Sequence, residues 1–250
     1  MSEPTQGYCR LCGTHGQLTD EHLIPESAGN DSSVQLHTFQ SISEQRKTGV
    51  TWRKGLTRRT LCKRCNERGG QYYVSAFRAW TRQARSLHAQ AAHEKCVLHP
   101  FTADFLSVVK QIALMAVAMS ETASIHWGHY PQLRRFCFLP KMSGGLPDFR
   151  FFVYLHFGQA VREGVFHMID TKGGPAPGLF CQVGRSPLGY LVTSSDINSL
   201  SWAANLKLCD VSGFANRERG RLRTEFLALP CLRGALPFGP APRPSKLPKM

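Results

Sequence analysis

The sequence is short of acidic side chains and has no hydrophobic run long enough to cross a membrane. It contains 17 Asp and Glu residues against 31 Lys and Arg, which gives a formal net charge of +14. A surface with this excess attracts polyanions, so nucleic acid is the first partner to consider. The most apolar stretch, residues 105–119, includes Lys110 and Gln111 and is shorter than the roughly 20 residues of a membrane-spanning helix. We therefore expect no membrane partner.

The N-terminus lacks the charged, apolar and small-residue order of a secretory signal peptide. On that basis we expect a cytoplasmic protein, in which thiols stay reduced and the nine cysteines do not form a disulfide framework. The sequence also lacks the G-x-x-x-x-G-K-[ST] loop that holds nucleotide phosphates, so no use of ATP is inferred. With 42% hydrophobic residues the chain is globular rather than wholly disordered.

Cysteine is concentrated in two C-x-x-C pairs, Cys9 with Cys12 and Cys62 with Cys65. Each pair can turn on itself so that both thiolates reach one Zn²⁺, and two pairs complete a closed tetrahedral shell. Such a shell has no open position, so the zinc is expected to stabilise the fold and the chemistry is expected elsewhere. The other cysteines stand singly among apolar residues, which predicts small core residues: Cys96, Cys137, Cys181, Cys209 and Cys231.

Between the two pairs lies the segment Glu21-His22-Leu23-Ile24-Pro25, and Asn66 directly follows the last cysteine. The order C-x-x-C, then acid-His-hydrophobic-hydrophobic-Pro, then C-x-x-C-Asn resembles the zinc-containing HNH endonucleases, in particular bacterial members of that family. The resemblance implies a small ββα-metal core stabilised by zinc and metal-dependent cutting of DNA. It also implies a setting such as bacterial defence or a mobile element.

The resemblance assigns roles to three residues of this core. His22 would be the general base, while Glu21 and Asn66 would hold one catalytic Mg²⁺ or Mn²⁺. These residue types suit the chemistry, because a neutral imidazole can accept a proton from water and oxygen ligands suit a hard cation. The family's second Asn, which orients the base shortly before the second cysteine pair, has no counterpart at residues 55–57. The sequence therefore names no orienting residue for His22.

Basic residues are concentrated between Arg46 and Arg68, with Glu67 as the only acid in that stretch. A charge run is commonly just a solvated face, but its place beside the expected metal site favours contacts with nucleic-acid phosphates. Double-stranded DNA is the expected partner. The residues expected to bind it are Arg53, Lys54, Arg58, Arg59, Lys63, Arg64 and Arg68.

The remainder of the chain predicts an α+β fold in which the zinc-stabilised core precedes a C-terminal domain of helices and an antiparallel sheet. Apolar spacing predicts a helix over residues 71–93 and a second, buried helix over 105–119 that Thr102 can cap. Strand-like segments follow at 150–157, 164–169, 179–183 and 189–193. We expect a nuclease domain over residues 1–94, an accessory domain over 95–236 and a flexible basic, proline-rich tail over 237–250.

Two other functions remain open from the sequence. The chain could be a zinc-ordered nucleic-acid-binding module without cleavage activity, in which Glu21 and His22 are incidental surface residues. It could also be a structural subunit, with the C-terminal domain forming a homodimer or binding another protein. The presence of acid, His and Asn together favours the endonuclease.

Overall fold

The polypeptide combines helices and sheets in a mixed α+β fold. The computed structural model describes residues 5–32, 34–36, 50–52, 55–119, 131–144, 146, 148–157, 162–169, 175–194 and 207–232. Within them lie four α-helices and sheets of three, seven and two strands. The expected α+β class is confirmed, whereas the predicted tail at 237–250 lies outside the described residues. No helix in the described ranges is both long and apolar enough to cross a bilayer.

The N-terminal part is built on a three-stranded antiparallel sheet. Its strands are β1 (Gln6–Tyr8), β2 (His15–His22) and β5 (Thr57–Cys62), in the order β1-β2-β5. Helix α1 (Lys63–Tyr72) begins directly after β5. A separate two-stranded sheet is formed by β3 (Val34–Leu36) and β4 (Val50–Trp52). Because β2 lies between β1 and β5, the turn that precedes β2 and the junction of β5 with α1 lie close together.

The helix predicted over residues 71–93 is divided in the structure. Helix α1 ends at Tyr72, Tyr73 has φ −122° and ψ −34°, and helix α2 spans Val74–Gln90. The apolar spacing nevertheless identified the buried face, because its members are all buried: Tyr73, Phe77, Trp80, Ala84 and Leu87. The break was not visible in the sequence, since the apolar residues on both sides of it enter one core.

Helix α3 (Phe105–Met119) occupies the centre of the molecule, and every one of its residues is buried. Asp104 caps its N-terminus, with Oδ1 accepting from the Ser107 backbone N–H at 3.2 Å and Oδ2 from the Ser107 hydroxyl at 2.7 Å. The prediction that Thr102 caps this helix was wrong. Thr102 belongs instead to strand β6 (Cys96–Ala103), where it pairs with Thr224.

A seven-stranded sheet forms most of the C-terminal part. Helix α4 (Pro131–Phe138) precedes its later strands, which are β7 (Arg150–His156), β8 (Arg162–Ile169), β9 (Pro175–Arg185), β10 (Leu188–Thr193), β11 (Cys209–Asp210) and β12 (Arg223–Leu232). The strand order is β6-β12-β7-β10-β9-β8, and β11 also pairs with β7. The predicted strand segments correspond to β7–β10, but the sheet is not wholly antiparallel, because β12 runs parallel to β7.

One contiguous cluster of buried apolar side chains runs from Cys9 near the N-terminus to Leu229 in β12. Helix α3 joins the two parts of the molecule, because it contacts α2 and β5 as well as α4, β9 and β10. The division into domains at residue 94 stays a prediction. Wherever a domain boundary lies, α3 contacts strand β5 of the N-terminal sheet.

Two adjacent glycines of α1 allow the packing of α1 on α3 to be measured. Gly70→Ala should raise the free energy of unfolding by about 0.5–1 kcal/mol, because alanine favours the helix and no atom lies within 4 Å of its added Cβ. Gly69→Ala should raise the free energy of unfolding by less than Gly70→Ala does. Its Cβ would lie 2.7 Å from Leu114 Cδ2, so the Leu114 side chain must move. Urea unfolding at unchanged m-value measures both. Equal gains would contradict the described contact.

Candidate metal centre and adjoining cavity

The four cysteines of the two C-x-x-C pairs meet beside the N-terminal sheet. Cys9 and Cys12 lie in the turn between β1 and β2, Cys62 ends β5, and Cys65 lies in the first turn of α1. Their Sγ atoms are all within 4.8 Å of one another, and the Sγ atoms of Cys12 and Cys62 are 3.8 Å apart. A tetrahedral zinc ion with Zn–S bonds of about 2.3 Å needs sulfur atoms about 3.8 Å apart. The thiols therefore form a group that could bind a zinc ion, as the spacing predicts.

The turn that carries the first cysteine pair is fastened to the C-terminal part of the molecule by two arginines. The Arg10 backbone N–H donates to Thr60 O at 2.8 Å, and its guanidinium donates to Ala118 O near the end of α3. Arg134 of α4 donates from Nε to Leu11 O at 3.1 Å. These bonds satisfy backbone carbonyls of α3 and of the turn, and they fix the position of the turn relative to α3.

Proximity of the thiols changes their acidity. A hydrogen bond from the Cys65 thiol lowers the pKa of Cys9 to about 4. The same interaction, together with burial, raises the pKa of Cys65. A cation that binds all four sulfurs must therefore displace protons from the cluster, so its affinity is expected to rise with pH.

This cluster is the single group in the described part of the chain with three or more His, Cys, Asp or Glu ligand atoms close enough to share a metal. Of the cysteines outside it, Cys137 and Cys181 are buried, as predicted, while Cys209 and Cys231 are half-buried. Cys96 is exposed, so its prediction as a core residue was wrong. The reason is its place at the start of β6, which is an edge strand of the large sheet.

Glu21 is a buried carboxylate in the cavity beside the cysteine cluster. It is 4% exposed and lines the cavity. The ladder between β2 and β5 shifts register between Thr19 and Asp20, which pair with Leu61 and Arg59, so Thr60 is the extra residue of a bulge. A bulge redirects side chains, and the Thr60 hydroxyl donates to Glu21 Oε1. The bulge thus holds the carboxylate in place.

His22 ends β2, and its side chain is 26% exposed. Its Nε2 lies 3.9 Å from Glu26 Oε2, and its Nδ1 lies 3.3 Å from the amide nitrogen of Asn30. Asn30 is thus the residue in contact with the candidate base that the sequence did not identify. An amide nitrogen can only donate, so this contact favours the neutral tautomer of His22 with its hydrogen on Nε2.

Asn30 is wholly buried, and its amide group is held from several directions. Nδ2 donates to Ile24 O at 2.8 Å and to Leu56 O at 3.0 Å. Oδ1 accepts from the Leu56 backbone N–H at 2.8 Å and from Arg185 Nη1 at 2.8 Å. Since carbonyls surround Nδ2 and donors surround Oδ1, these partners fix the orientation of the amide. Arg185 belongs to β9, so the large sheet also supports the surroundings of His22.

Asn66 lies in the first turn of α1 and joins that helix to β2. Its Nδ2 donates to Thr19 Oγ1 at 3.1 Å and to Asp20 O at 3.4 Å. Both bonds use the amide nitrogen, which leaves Oδ1 as the atom that can ligate a cation. The structure therefore places Asn66, as well as Glu21 and His22, in the wall of one cavity.

The cavity has a volume of about 290 Å³. Its lining includes the three candidate site residues together with Asp20 and Glu26. Helix α3 contributes mainly apolar residues to the lining, with Gln111 as its polar member. The sequence did not indicate Gln111, because it lies within an apolar helix that reads as core.

Asp20 is engaged by a neighbouring arginine. Arg59 Nε and Nη2 donate to its Oδ1 and Oδ2 at 2.7 and 3.1 Å. The guanidinium holds the pKa of the Asp20 carboxyl below its usual value. Both Asp20 oxygens therefore face Arg59, which leaves Glu21 as the better carboxylate for a cation. It also means that part of the Arg59 charge is compensated.

The other predicted phosphate contacts differ in their surroundings. Lys63 and Arg64 are exposed on α1, and Arg58 is half-buried on β5. The Arg68 guanidinium carbon lies 5.4 Å from the Tyr72 ring centre and 4.9 Å from that of Phe138. Arg53 and Lys54, also predicted to bind nucleic acid, lie outside the described residues.

The contact of Gly55 with Asn30 can be isolated with a second glycine as a control. Gly55 has φ +80°, and an added Cβ would lie 2.1 Å from Asn30 O and 2.3 Å from Asn30 Oδ1. Gly220 has nearly the same backbone, φ +78°, with no atom within 4 Å of its Cβ. In both alanine variants the strained backbone should lower the free energy of unfolding by about 1 kcal/mol or more. Gly55→Ala should lower the free energy of unfolding by roughly a further 1–3 kcal/mol, because its Cβ displaces the buried Asn30 amide from its hydrogen bonds.

Thermal and urea unfolding measure this difference, and NMR of the His22 ring reports whether its surroundings change. We expect a changed ring signal in Gly55→Ala and an unchanged one in Gly220→Ala. Equal losses of stability in the two variants would contradict the described position of Asn30.

Comparison of the chain with models of protein families, with curated proteins and with solved structures finds no match in any of the three.

Proposed function

We propose that this protein is a metal-dependent endonuclease of the HNH type that hydrolyses DNA phosphodiester bonds. The observation that carries the proposal is the meeting of Glu21, His22 and Asn66 in one cavity beside the four-cysteine cluster. These residues come from opposite ends of the N-terminal part, β2 and α1, yet they are the ones that the HNH resemblance assigns to catalysis. A chance match to the sequence motif would not by itself require these three residues to lie in the same cavity.

The oxygen atoms in the cavity suit a hard divalent cation. Glu21 supplies a buried carboxylate, and Asn66 supplies an amide oxygen. Mg²⁺ is commonly held by one or two protein ligands while it keeps several waters, so these two side chains are sufficient. A bound Mg²⁺ or Mn²⁺ would neutralise charge on the attacked phosphate and on the departing oxygen.

In the proposed reaction His22 takes a proton from the attacking water. The His22 side chain lies beside Glu26 and is partly exposed, so water can reach the ring. The contact of Asn30 favours a lone pair on Nδ1 in the neutral ring, so water must approach that nitrogen or the ring must first change tautomer. Glu26 lies on the Nε2 side, where it stabilises the imidazolium that forms.

Charge supports nucleic acid as the substrate. The net charge of +14 attracts the phosphate backbone, and Lys63 and Arg64 are exposed on the same helix that carries Asn66. Contacts of this kind bind the backbone without reading sequence. Double-stranded DNA is the substrate proposed, with Zn²⁺ on the four thiols as a structural ion.

A nucleic-acid-binding module without cleavage is the second candidate. It is favoured by one observation: Nδ1 of His22 lies 3.3 Å from the amide nitrogen of the wholly buried Asn30, so this side of the ring is packed against protein. A histidine fixed in this way can serve a purely structural role. The two candidates differ in whether a folded, metal-loaded protein cuts DNA.

Cleavage of a supercoiled plasmid in Mg²⁺ or Mn²⁺, with EDTA as the metal-free reference, tests the proposal. His22→Ala should lower the rate by roughly 10²–10⁴-fold, the usual contribution of a general base. Asn66→Ala should require more metal for half-maximal rate, since it removes a ligand. His15→Ala is the matched control, because His15 lies exposed on the same strand and outside the cavity.

Circular dichroism and zinc content must be unchanged in the variants, and zinc must be measured again after EDTA. Cutting that survives His22→Ala would remove His22 as the base. DNA binding without cutting in either metal would leave the binding module as the function.

The zinc assignment has its own test. The protein purified from zinc-containing medium should hold zinc, and Cys65→Ser should lose it, because Cys65 is a buried member of the cluster. Cys96→Ser is the matched control, since Cys96 is exposed and lies outside the cluster. Zinc should stabilise the fold by several kcal/mol, part of the roughly 10–16 kcal/mol of small zinc modules.

Elemental analysis and thermal unfolding with and without a chelator measure these effects. Competition with a zinc dye should give an affinity that rises with pH, because binding displaces thiol protons. Equal zinc content in Cys65→Ser and the wild-type protein would contradict the assignment.

A further inference from the structure

Helix α1 presents different residues on its two flanks. Residues four apart share one side of an α-helix, whereas residues two apart point about 200° away from each other. Asn66 and Gly70 both line the cavity. Arg68 and Tyr72, each two positions further along, lie on the opposite flank and are half-buried. The helix thus separates the cavity from a second surface that contains an arginine and a tyrosine.

An arginine from the C-terminal part of the molecule joins this second surface. Arg219 precedes β12, and its guanidinium carbon lies 4.6 Å from the centre of the Tyr72 ring. Since the Arg68 guanidinium carbon lies 5.4 Å from the same centre, the two carbons are at most 10 Å apart. Arg68, Tyr72 and Arg219 form the Tyr72 cluster. Its two positive charges lie within one Debye length of each other, ~10 Å at 0.1 M salt, and repel each other.

The carboxylates of the described residues do not neutralise these two charges. Neither guanidinium of the Tyr72 cluster lies within 4.0 Å of a carboxylate oxygen in the described part of the chain. Glu218, next to Arg219 in the sequence, lies 3.8 Å from Arg221 instead. Asp104 accepts the backbone N–H of Gly220 at 2.8 Å and caps α3. An anion that binds beside both guanidinium groups would therefore relieve their repulsion.

Structural roles account for only part of the Tyr72 cluster. Arg68 Nε donates to Phe138 O at 2.9 Å, and a cation is favourable there because α4 ends at this residue. For Arg219 the contact that the described residues provide is the Tyr72 ring. Stacking on a ring fixes the plane of a guanidinium without using its N–H groups, and their fork matches the oxygens of a phosphate. The Tyr72 cluster therefore has the chemistry of a phosphate-binding site.

The width of α1 indicates which phosphate this site would meet. Between the two flanks, the outward face of the helix carries the exposed residues Lys63, Arg64 and Glu67, and Glu67 lies 3.8 Å from Lys63. An α-helix with its side chains is about 10–12 Å wide, and the major groove of B-DNA, about 12 Å wide, admits one. When one strand lies at the cavity beside Asn66, the phosphates of the other strand would lie on the opposite flank, at the Tyr72 cluster.

We propose that the Tyr72 cluster binds phosphates of the DNA strand that is not in the cavity, with α1 in the groove between the two strands. The inference rests on the proposed nuclease function, because it takes the cavity as the place of the cut strand. It adds the C-terminal part of the molecule to the DNA-binding surface through Arg219. Contacts of this kind carry no sequence preference, but they favour a duplex over a single strand.

Binding of a labelled duplex, measured by fluorescence anisotropy without added divalent cation so that no cutting occurs, tests the proposal. Arg219→Gln should weaken duplex binding by roughly three- to tenfold near 0.1 M salt, because one phosphate contact is lost. The slope of log affinity against log salt concentration should become shallower by about 0.9. Binding of one strand of the same duplex should change little. Arg219→Lys, which keeps the charge, should restore most of the slope.

A second arginine of the same segment provides the matched control. Arg221→Gln removes the same formal charge, but from an exposed side chain that lies 3.8 Å from Glu218. Its duplex affinity and salt slope should stay close to those of the wild-type protein. Thermal unfolding of each variant identifies a merely structural effect, since a structural role of Arg219 would lower the unfolding temperature and leave the salt slope unchanged.

Two results would overturn the proposal: equal salt slopes in Arg219→Gln and Arg221→Gln, or an equal loss of affinity for the duplex and for the single strand. Either result with cutting still dependent on His22 would leave the nuclease function standing. Absence of DNA binding by the wild-type protein at every salt concentration would overturn both.

Discussion

The four thiols that meet at one point are the constraint on which the candidate site depends. They join the turn before β2 to the junction between β5 and α1, with sulfur atoms within 4.8 Å of one another. Fixing these two points fixes the end of β5 and the start of α1 against β2. Because Glu21 and His22 lie on β2 while Asn66 follows the last cysteine, the cluster sets the distance between the elements that carry these three residues.

The opposite side of the site is fixed by a different interaction, the buried amide of Asn30. Its bonds tie the segment after β2 to Leu56, and Arg185 brings in the large C-terminal sheet. Burial lowers the pKa of this guanidinium from its usual value, a sign that the charge is partly removed from water. The site is therefore held both by the N-terminal part and by the C-terminal sheet, and changes in β9 are expected to reach His22.

Local patterns in the sequence predicted the parts of the structure that depend on the spacing of residues along the chain. Two C-x-x-C pairs identified the cysteine cluster, and apolar periodicity identified the buried face from Tyr73 to Leu87. Asn30 could not be found in this way, because it bonds to partners 26 and 155 residues away. Gln111 was hidden for a related reason, since only the fold shows that its stretch of an apolar helix borders a cavity. Thr102 was misread because strand and cap residues share a composition.

Helix α3 shows how differently two adjacent polar residues are used. Lys110 is wholly buried, yet its ammonium donates to Phe136 O and to Leu139 O at 2.9 Å and lies 3.8 Å from the Phe136 ring centre. Burial lowers its pKa to about 8, but carbonyls at the end of α4 compensate the charge. Lys110 thereby holds α4, whose Arg134 reaches the cysteine turn. Gln111, one residue on, lines the cavity instead, and its buried Oε1 has no hydrogen-bond partner among the described residues. The support of α4 therefore comes from Lys110 alone of this adjacent pair.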